Sequence, residues 1–275
     1  IVVNNSNCEV SILKQFEPGN KLPVSITAND MCYFNENPIV SKGSMSNISW
    51  STNDDGLNNK VEFNLDTTGV YEDIILTATA DSYSRYAINT TLPDYVNSSN
   101  DSTSVLSMND YETTITSLWD DPDILRYDAI DLDNIIVKSG SNTLSKSQYE
   151  FVGGNTVSTN GETLYTSATL KIPASSMSGD ISITVNVLRY GKLFVSEVKN
   201  GQIFVNDKEV DDNFVSIIPL YSTFTARYTV NDNCRVANTN LSHENSTYTM
   251  PYDGIYGLQF VAIEQITITM NSKLA

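Results

Sequence analysis

Apolar and polar residues alternate in short runs along much of this 275-residue chain. Such alternation is typical of β-strands that bury one face. β-branched and aromatic residues are concentrated in the runs, whereas the spacing of an amphipathic helix is almost absent. The clearest predicted strands are residues 61–65, 74–80, 181–188, 224–230 and 265–270. The pattern therefore predicts an all-β fold.

Turn-forming residues separate the apolar runs. Tight hairpins need residues with positive φ, which Gly and Asn adopt readily. Such residues occur at Asp54-Asp55-Gly56, Gly153-Gly154-Asn155, Asn160-Gly161 and Asn200-Gly201. The clearest predicted hairpin has its turn at residues 199–202 and joins the apolar runs 193–198 and 203–205.

Residues 91–129 interrupt the strand pattern with prolines, polar residues and many carboxylates. We interpret this segment as an acidic linker. A short helix could lie inside it between Asn109 and Trp119, capped by Asn109 or Asp110 and ended by Pro122.

Three segments share one order of features: an alternating strand, a turn with Pro or Asp, a Gly and a second apolar strand. They are residues 63–78, 170–185 and 248–262. A shorter echo relates residues 27–32 (TANDMC) to residues 229–234 (TVNDNC). Repetition of this kind indicates repeated structural units. We therefore predict three modules, at residues 1–90, 130–190 and 191–275.

The segment LKIPASSMSGDISITV, at residues 170–185, is similar to the closing strands of immunoglobulin-like (Ig-like) modules of bacteria and bacteriophages. Residues 249–262 resemble a variant of this ending, and residues 63–78 depart from it, with Asp66 where the other two segments have Pro. The resemblance implies tandem Ig-like β-sandwiches. Gly-Val-Tyr at 69–71 and Gly-Ile-Tyr at 254–256 also resemble a tyrosine corner, in which a phenol closes a loop between two sheets.

Ig-like modules of this kind recur in virion structural proteins and in cell-surface proteins. The resemblance implies a non-enzymatic structural or accessory protein of a bacteriophage virion: a capsid decoration, a head fibre or a tail component. Its expected partners are capsid or tail proteins, copies of itself and a host-surface glycan or protein. The alternative is a bacterial or archaeal cell-surface adhesin or pilus-like subunit. A third class is a carbohydrate-acting enzyme or its binding module.

The terminal apolar runs bear on assembly, because sandwiches have open sheet edges that can accept a further strand. Residues 1–3 and 266–270 could pair with another copy's sheet. Folding back into the chain's own module is equally compatible with the sequence.

The net charge and hydropathy of the chain argue against nucleic-acid and membrane partners. The 33 acidic residues outnumber the 16 basic ones, giving a net charge of −17 without a basic cluster, so nucleic acid is not an expected ligand. No apolar stretch approaches the roughly 20 residues that cross a bilayer, so no membrane partner is expected.

The sequence assigns no catalytic, cofactor-binding or metal-binding residue. The single histidine, His243, lies in a polar loop and is expected to be solvated. Acidic residues that could hold Ca²⁺, or could belong to the acidic linker, are Asp120, Asp121, Asp123, Asp128, Asp131 and Asp133. A weaker acidic cluster comprises Asp207, Glu209, Asp211 and Asp212.

Cys8, Cys32 and Cys234 are expected to be free thiols, although one disulfide bond is also compatible with the sequence. Most of the 15 tyrosines are expected to pack on strand faces, whereas exposed tyrosines could bind sugars or proteins.

Overall fold

The computed structural model describes residues 1–120 and 127–265. The chain is nearly all β, which confirms the predicted all-β class. Within the described residues, a single turn of 3₁₀-helix occurs at Ala174–Ser176. None of the described segments forms a helix of the length and apolarity needed to span a membrane.

The chain divides into two compact units. The first contains Ile1–Tyr86 together with Ser104–Asn109, and the second contains Ala87–Thr103 and the chain from Asp110 onward. The strands that open the chain are β1 (Val2–Ser6), β2 (Cys8–Ser11), β3 (Lys21–Ala28), β4 (Cys32–Tyr33), β5 (Ile39–Val40), β6 (Ser44–Thr52), β7 (Asn58–Asp66), β8 (Ile75–Thr79) and β9 (Asp81–Ser82).

The first unit is a sandwich of two main sheets, with strand orders β2-β3-β7-β6 and β1-β8-β5, beside the short pair β4-β9. Alternate residues of β3 are buried, as the sequence pattern predicts. Ile26 and Leu65 from one sheet and Leu76 from the other belong to a single apolar core. We call strands β1 to β8 of this unit the first strand set.

A further group of strands follows along the chain, and all belong to the second unit except β12 and the first two residues of β10. They are β10 (Arg85–Thr91), β11 (Val96–Ser98), β12 (Ser104–Leu106), β13 (Tyr111–Ser117), β14 (Tyr127–Ile130), β15 (Ile136–Ser139), β16 (Asn142–Thr143), β17 (Glu150–Val152), β18 (Thr156–Thr159), β19 (Glu162–Tyr165), β20 (Ser167–Ile172) and β21 (Ile181–Thr184).

Two of the resulting sheets form the second strand set. One has the order β11-β13-β20-β17, and the other contains β10, β21, β15 and β16 as successive neighbours. Their facing sides bury Ile115 and Leu170 from the first sheet and Val137, Ile181 and Ile183 from the second.

The last strands of the described chain form the third strand set. They are β22 (Val187–Lys199), β23 (Gly201–Val205), β24 (Lys208–Val210), β25 (Val215–Pro219), β26 (Thr223–Val230), β27 (Cys234–Thr239), β28 (Ser246–Thr249) and β29 (Ile255–Glu264). One sheet has the order β24-β23-β26-β28. In the other, β22, β29 and β27 are neighbours and β25 also pairs with β22.

Within the second unit, strand β22 connects the third strand set to β14, β19 and β18, which belong to the same seven-stranded sheet. Residues 187–190 pair with β14, and residues 192–199 pair with β29. The rings of Trp119, Tyr127 and Tyr190 pack together beside this strand, at centroid distances of 5.5 and 5.9 Å from Trp119. One continuous strand therefore contributes both to the core of the third strand set and to the small apolar cluster around Trp119.

All three strand sets share one pairing scheme. The opening strand (β1, β10 or β22) runs parallel to the closing strand (β8, β21 or β29). The second strand (β2, β11 or β23) pairs in the opposite sheet with β3, β13 or β26. The closing strand also pairs antiparallel with β5, β15 or β27. The three similar sequence segments supply the closing strand and the strand before it in each set.

A residue with left-handed backbone precedes the second strand in every set. Asn7 (φ 57°), Tyr95 (φ 64°) and Asn200 (φ 55°) occupy this position. Here the chain leaves one sheet and enters the other. Asn adopts this conformation more readily than most L-residues, because its short polar side chain can bond locally.

Asn7 and Asn200 form matching hydrogen-bonded junctions. The Asn7 Nδ2 donates to the Ala80 carbonyl at 3.0 Å, and the Asn200 Nδ2 donates to the Ala262 carbonyl at 2.8 Å. The backbone carbonyl of Asn7 accepts from the Asn29 N–H, and the backbone carbonyl of Asn200 accepts from the Asn231 N–H. Asn29 and Asn231 belong to the echo segments 27–32 and 229–234, so this sequence similarity corresponds to the same local structure.

The predicted helix between Asn109 and Trp119 is wrong. Tyr111–Ser117 form β13, in which Tyr111, Thr113, Ile115 and Ser117 are buried alternately. Three threonines and an isoleucine follow one another at residues 113–116, and β-branched residues favour a strand over a helix.

The segment 91–129, interpreted as a linker, also holds β11, β12 and the start of β14. Strands β11 and β13 are members of a sheet, so this part of the chain contributes to the second strand set instead of acting as a spacer.

The predicted hairpin at residues 199–202 is wrong in its pairing, although the turn is there. Asn200 has positive φ, but β22 pairs with β14, β25 and β29, whereas β23 pairs with β24 and β26. The turn thus moves the chain between sheets. Asn160-Gly161 does form a hairpin, between β18 and β19.

Candidate functional site

A cleft of about 640 Å³ opens between the two sheets of the third strand set. We call it the β24–β25 cleft, because these two strands flank it. Its lining combines buried apolar side chains with exposed polar ones, and comprises Asn160, Leu193, Val205, Asn206, Lys208, Glu209, Val210, Phe214, Ser216, Ile218, Pro219, Ser222, Thr223 and Phe224.

Local turn chemistry creates the cleft. Asn206 and Asp207 both have positive φ, at 48° and 62°, which suits a two-residue turn and returns the chain from β23 into β24. The chain then crosses to the other sheet, where β25 pairs with β22. Strand β24 therefore extends one sheet and β25 extends the other, which leaves a gap between them.

The floor of the cleft is apolar and belongs to the buried core. Leu193, Val205 and Phe224 are buried members of the core of the third strand set. The ring of Phe224 stacks on Tyr248, at a centroid distance of 5.7 Å, and meets Tyr256 edge-on at 5.3 Å. A ligand in the cleft would thus rest on side chains that are already ordered.

The rim of the cleft is mostly polar and uncharged. The Asn160 Nδ2 donates to the Ile217 carbonyl at 2.7 Å, and the Asn206 Oδ1 accepts from the Thr225 N–H at 2.9 Å. These bonds hold the two amide side chains at the rim, where Ser222 and Thr223 add hydroxyl groups.

Tyr221 lies in the turn between two lining residues, Pro219 and Ser222. Its side chain is 63 % exposed and its φ is +61°. The Ser222 N–H donates to the Pro219 carbonyl at 3.2 Å, which closes the turn around Tyr221. A bulky residue with positive φ is uncommon and marks local strain, which often accompanies function.

A second exposed tyrosine lies on the neighbouring turn. Tyr252, 69 % exposed, follows Met250 and Pro251 in the turn before β29. The two turns are bonded to each other, because the Tyr221 N–H donates to the Met250 carbonyl and the Met250 N–H donates to the Ser222 carbonyl. These bonds restrict the motion of Tyr221 relative to the turn that carries Tyr252.

The tyrosine-corner prediction is wrong for Tyr71. Its side chain is 84 % exposed, so the phenol does not close a loop between sheets. At 254–256, Tyr256 is half-buried and packs against Phe224 and Tyr248, and burial, followed by the nearby Tyr248, raises the pKa of its phenol.

The described residues of the acidic stretch 120–133 have separate partners. Asp120 accepts from the Tyr127 hydroxyl at 2.7 Å, Asp131 accepts from the Asn134 amide, and Asp133 pairs with Lys146. Asp128 is buried. Asp121 and Asp123, also proposed as Ca²⁺ ligands, lie outside the described residues.

The second acidic cluster borders the cleft without forming a metal site. Asp207 accepts from the Asn245 amide and Glu209 accepts from the Gln202 amide. Asp211 and Asp212 both accept from Asn213. Across residues 1–120 and 127–265, no three His, Cys, Asp or Glu side chains converge in a way that could hold a metal ion.

The remaining candidate residues have ordinary packing roles. The His243 ring meets the Tyr228 ring edge-on, at a centroid distance of 5.6 Å. All three cysteines are free thiols, with Cys8 and Cys32 buried and Cys234 partly exposed.

The sequence contained little that could identify the cleft. Its lining comes from the β18–β19 turn and from five strands of the third set, and only the acidic cluster at residues 207–212 marked its vicinity. Comparison with models of protein families finds no match, and comparison with curated proteins finds none either.

Proposed function

We propose that the chain is a non-enzymatic structural or accessory protein of a bacteriophage virion, built from tandem Ig-like modules. It acts as a capsid decoration, head fibre or tail component. Its partners are capsid or tail proteins and further copies of itself.

The observation that carries this proposal is the strand-pairing scheme shared by the three strand sets. An Ig-like sandwich has one sheet of order ABED and an opposing sheet containing C and F. In the first strand set, β2-β3-β7-β6 match the order ABED, and β5 and β8 match C and F. The second strand set matches with β11-β13-β20-β17 and with β15 and β21. An array of similar modules is what the resemblance of residues 170–185 implies.

The exposed surface supports a role in protein contacts. Every described sandwich has edge strands with unpaired backbone groups, which can accept a strand from a partner. Apolar side chains such as Leu13, Ile39 and Tyr71 are exposed in the first unit. A net charge of −17 would keep neighbouring particles apart in solution.

The alternative function is a cell-surface adhesin or pilus-like subunit, favoured by the position of β1. This strand lies at the edge of its sheet and runs parallel to β8 of its own chain. A strand from another subunit could occupy the same edge after exchange. The other run proposed for such an exchange, residues 266–270, lies outside the described residues.

Fractionation of the native source distinguishes the two functions. An antiserum against the purified chain would be used on phage particles banded in a density gradient and on host cell envelopes. The virion proposal expects the chain to band with the major capsid protein, and immunogold labelling to mark one structural part of the particle. Recovery of the chain only in the envelope fraction would contradict it and would support the adhesin alternative.

A further inference from the structure

We propose that the β24–β25 cleft binds a neutral sugar residue of a glycan, with Tyr221 stacking on the sugar ring. This function goes beyond the structural role proposed above and does not depend on whether the chain belongs to a virion or to a cell surface.

The size and shape of the cleft suit a small ring. Its volume of about 640 Å³ lies within the range of roughly 300–1,000 Å³ that is typical of small-molecule sites. Leu193 and Phe224 form an apolar floor against which the C–H groups of a pyranose could pack. The polar groups lie at the rim, where the hydroxyl groups of such a ring would project.

The chemistry of the rim suits sugar hydroxyls. Asn160, Asn206, Ser222 and Thr223 bring uncharged donors and acceptors to one opening. Within the described part of the chain, the Asn206 Nδ2 and the Thr223 hydroxyl have no hydrogen-bond partner, so both are free to bond a ligand. Glu209 adds a carboxylate, which can accept two hydroxyl groups.

The position of Tyr221 is poorly explained by stability alone. A left-handed backbone lowers the stability of the fold when the residue is bulky, whereas glycine adopts it without that penalty. The Tyr221 ring is mostly exposed, so its burial offsets little of this loss of stability. An exposed tyrosine at such a position is therefore better explained by contact with a ligand. The planar face of a tyrosine matches the C–H face of a pyranose ring.

The charge of the surroundings favours a neutral sugar over an acidic one. Among the described residues that line the cleft, Lys208 is the single basic one, whereas Glu209 also lines it and Asp207, Asp211 and Asp212 lie in the same stretch of chain. A sialylated or sulfated glycan would be repelled by these carboxylates and by the net charge of −17.

The test starts with the full 275-residue chain on an array of neutral and acidic oligosaccharides. The neutral oligosaccharide that binds best is then titrated calorimetrically into the wild-type chain and into variants. Tyr221→Gly is expected to weaken binding roughly tenfold or more. The same substitution should raise the unfolding temperature of the second unit by about 2–4 °C, because glycine relieves the backbone strain.

Two further variants complete the design. Thr223→Val removes a rim hydroxyl and should weaken binding with little change in stability. Tyr71→Ala removes another exposed tyrosine, from the first unit, and should leave binding unchanged. The proposal is overturned if no neutral glycan binds, if only acidic glycans bind, or if Tyr221→Gly binds as the wild type does. None of these results would change where the chain is found in the fractionation experiment.

Discussion

Replacing Asn200 tests whether the hydrogen-bonded junction at this residue stabilises the third strand set against unfolding. Asn200→Ala removes the hydrogen bond to the Ala262 carbonyl, which contributes about 1 kcal/mol. It also places a residue with an ordinary Cβ at φ 55°, which costs about 1 kcal/mol more than Asn does. We expect a total loss of about 2 kcal/mol in the free energy of unfolding.

Asn200→Gly separates the two contributions. Glycine tolerates the left-handed backbone but has no side chain to donate, so its loss should be smaller than that of alanine by about 1 kcal/mol. Asn200→Asp keeps the shape of the side chain but presents an oxygen to the Ala262 carbonyl in place of the donor, so it should destabilise at least as much as glycine does.

Asn7 provides a matched control in the other unit. Asn7→Ala removes the equivalent bond to Ala80 and should destabilise the first unit by a similar free energy. In a calorimetric scan, about 2 kcal/mol corresponds to a shift of roughly 8–16 °C for a unit of about 90 residues and roughly 4–8 °C for the larger second unit.

Each substitution should thus shift the transition of its own unit. The reasoning is refuted if Asn200→Ala and Asn200→Gly are equally stable, since the left-handed backbone would then cost nothing. It is also refuted if either alanine variant unfolds as the wild type does.

Three other predictions use single sites. Burial, followed by hydrogen bonding to Asp120, raises the pKa of Tyr127 to about 12. The unfolded phenol ionises near pH 10, so stability should fall by about 2–3 kcal/mol between pH 10 and 12, and Tyr127→Phe should flatten this fall in denaturant titrations. Gly201→Ala would push a methyl group into the Phe260 ring and the Thr229 carbonyl, so we expect the free energy of unfolding in urea to fall by about 3 kcal/mol. An unchanged free energy of unfolding would contradict this packing. A thiol reagent at neutral pH should modify Cys234 in the native protein well before Cys8, because burial shields the Cys8 thiol and raises its pKa. Equal rates of modification would show that Cys8 is accessible to the reagent.

The sequence by itself determined the β class and the local turns of this protein. Strand alternation depends on a two-residue period and positive φ depends on the residue type, so both can be read from neighbouring residues. The echo of residues 27–32 in residues 229–234 also carried structural information, because both segments form the turn that bonds to Asn7 or Asn200.

Tertiary structure decided how those local elements pair. The turn at Asn200 has the backbone that a hairpin needs, yet β23 pairs with β26 and β22 pairs with β29. The two strands belong to opposite sheets, and each contributes buried apolar residues to the core between those sheets. Residues 111–117 pair with β11 and β20, and this long-range pairing reinforces the strand preference of their threonines. The β24–β25 cleft likewise exists because two strands adjacent in the chain join opposite sheets, and no local pattern of residues encodes such a gap.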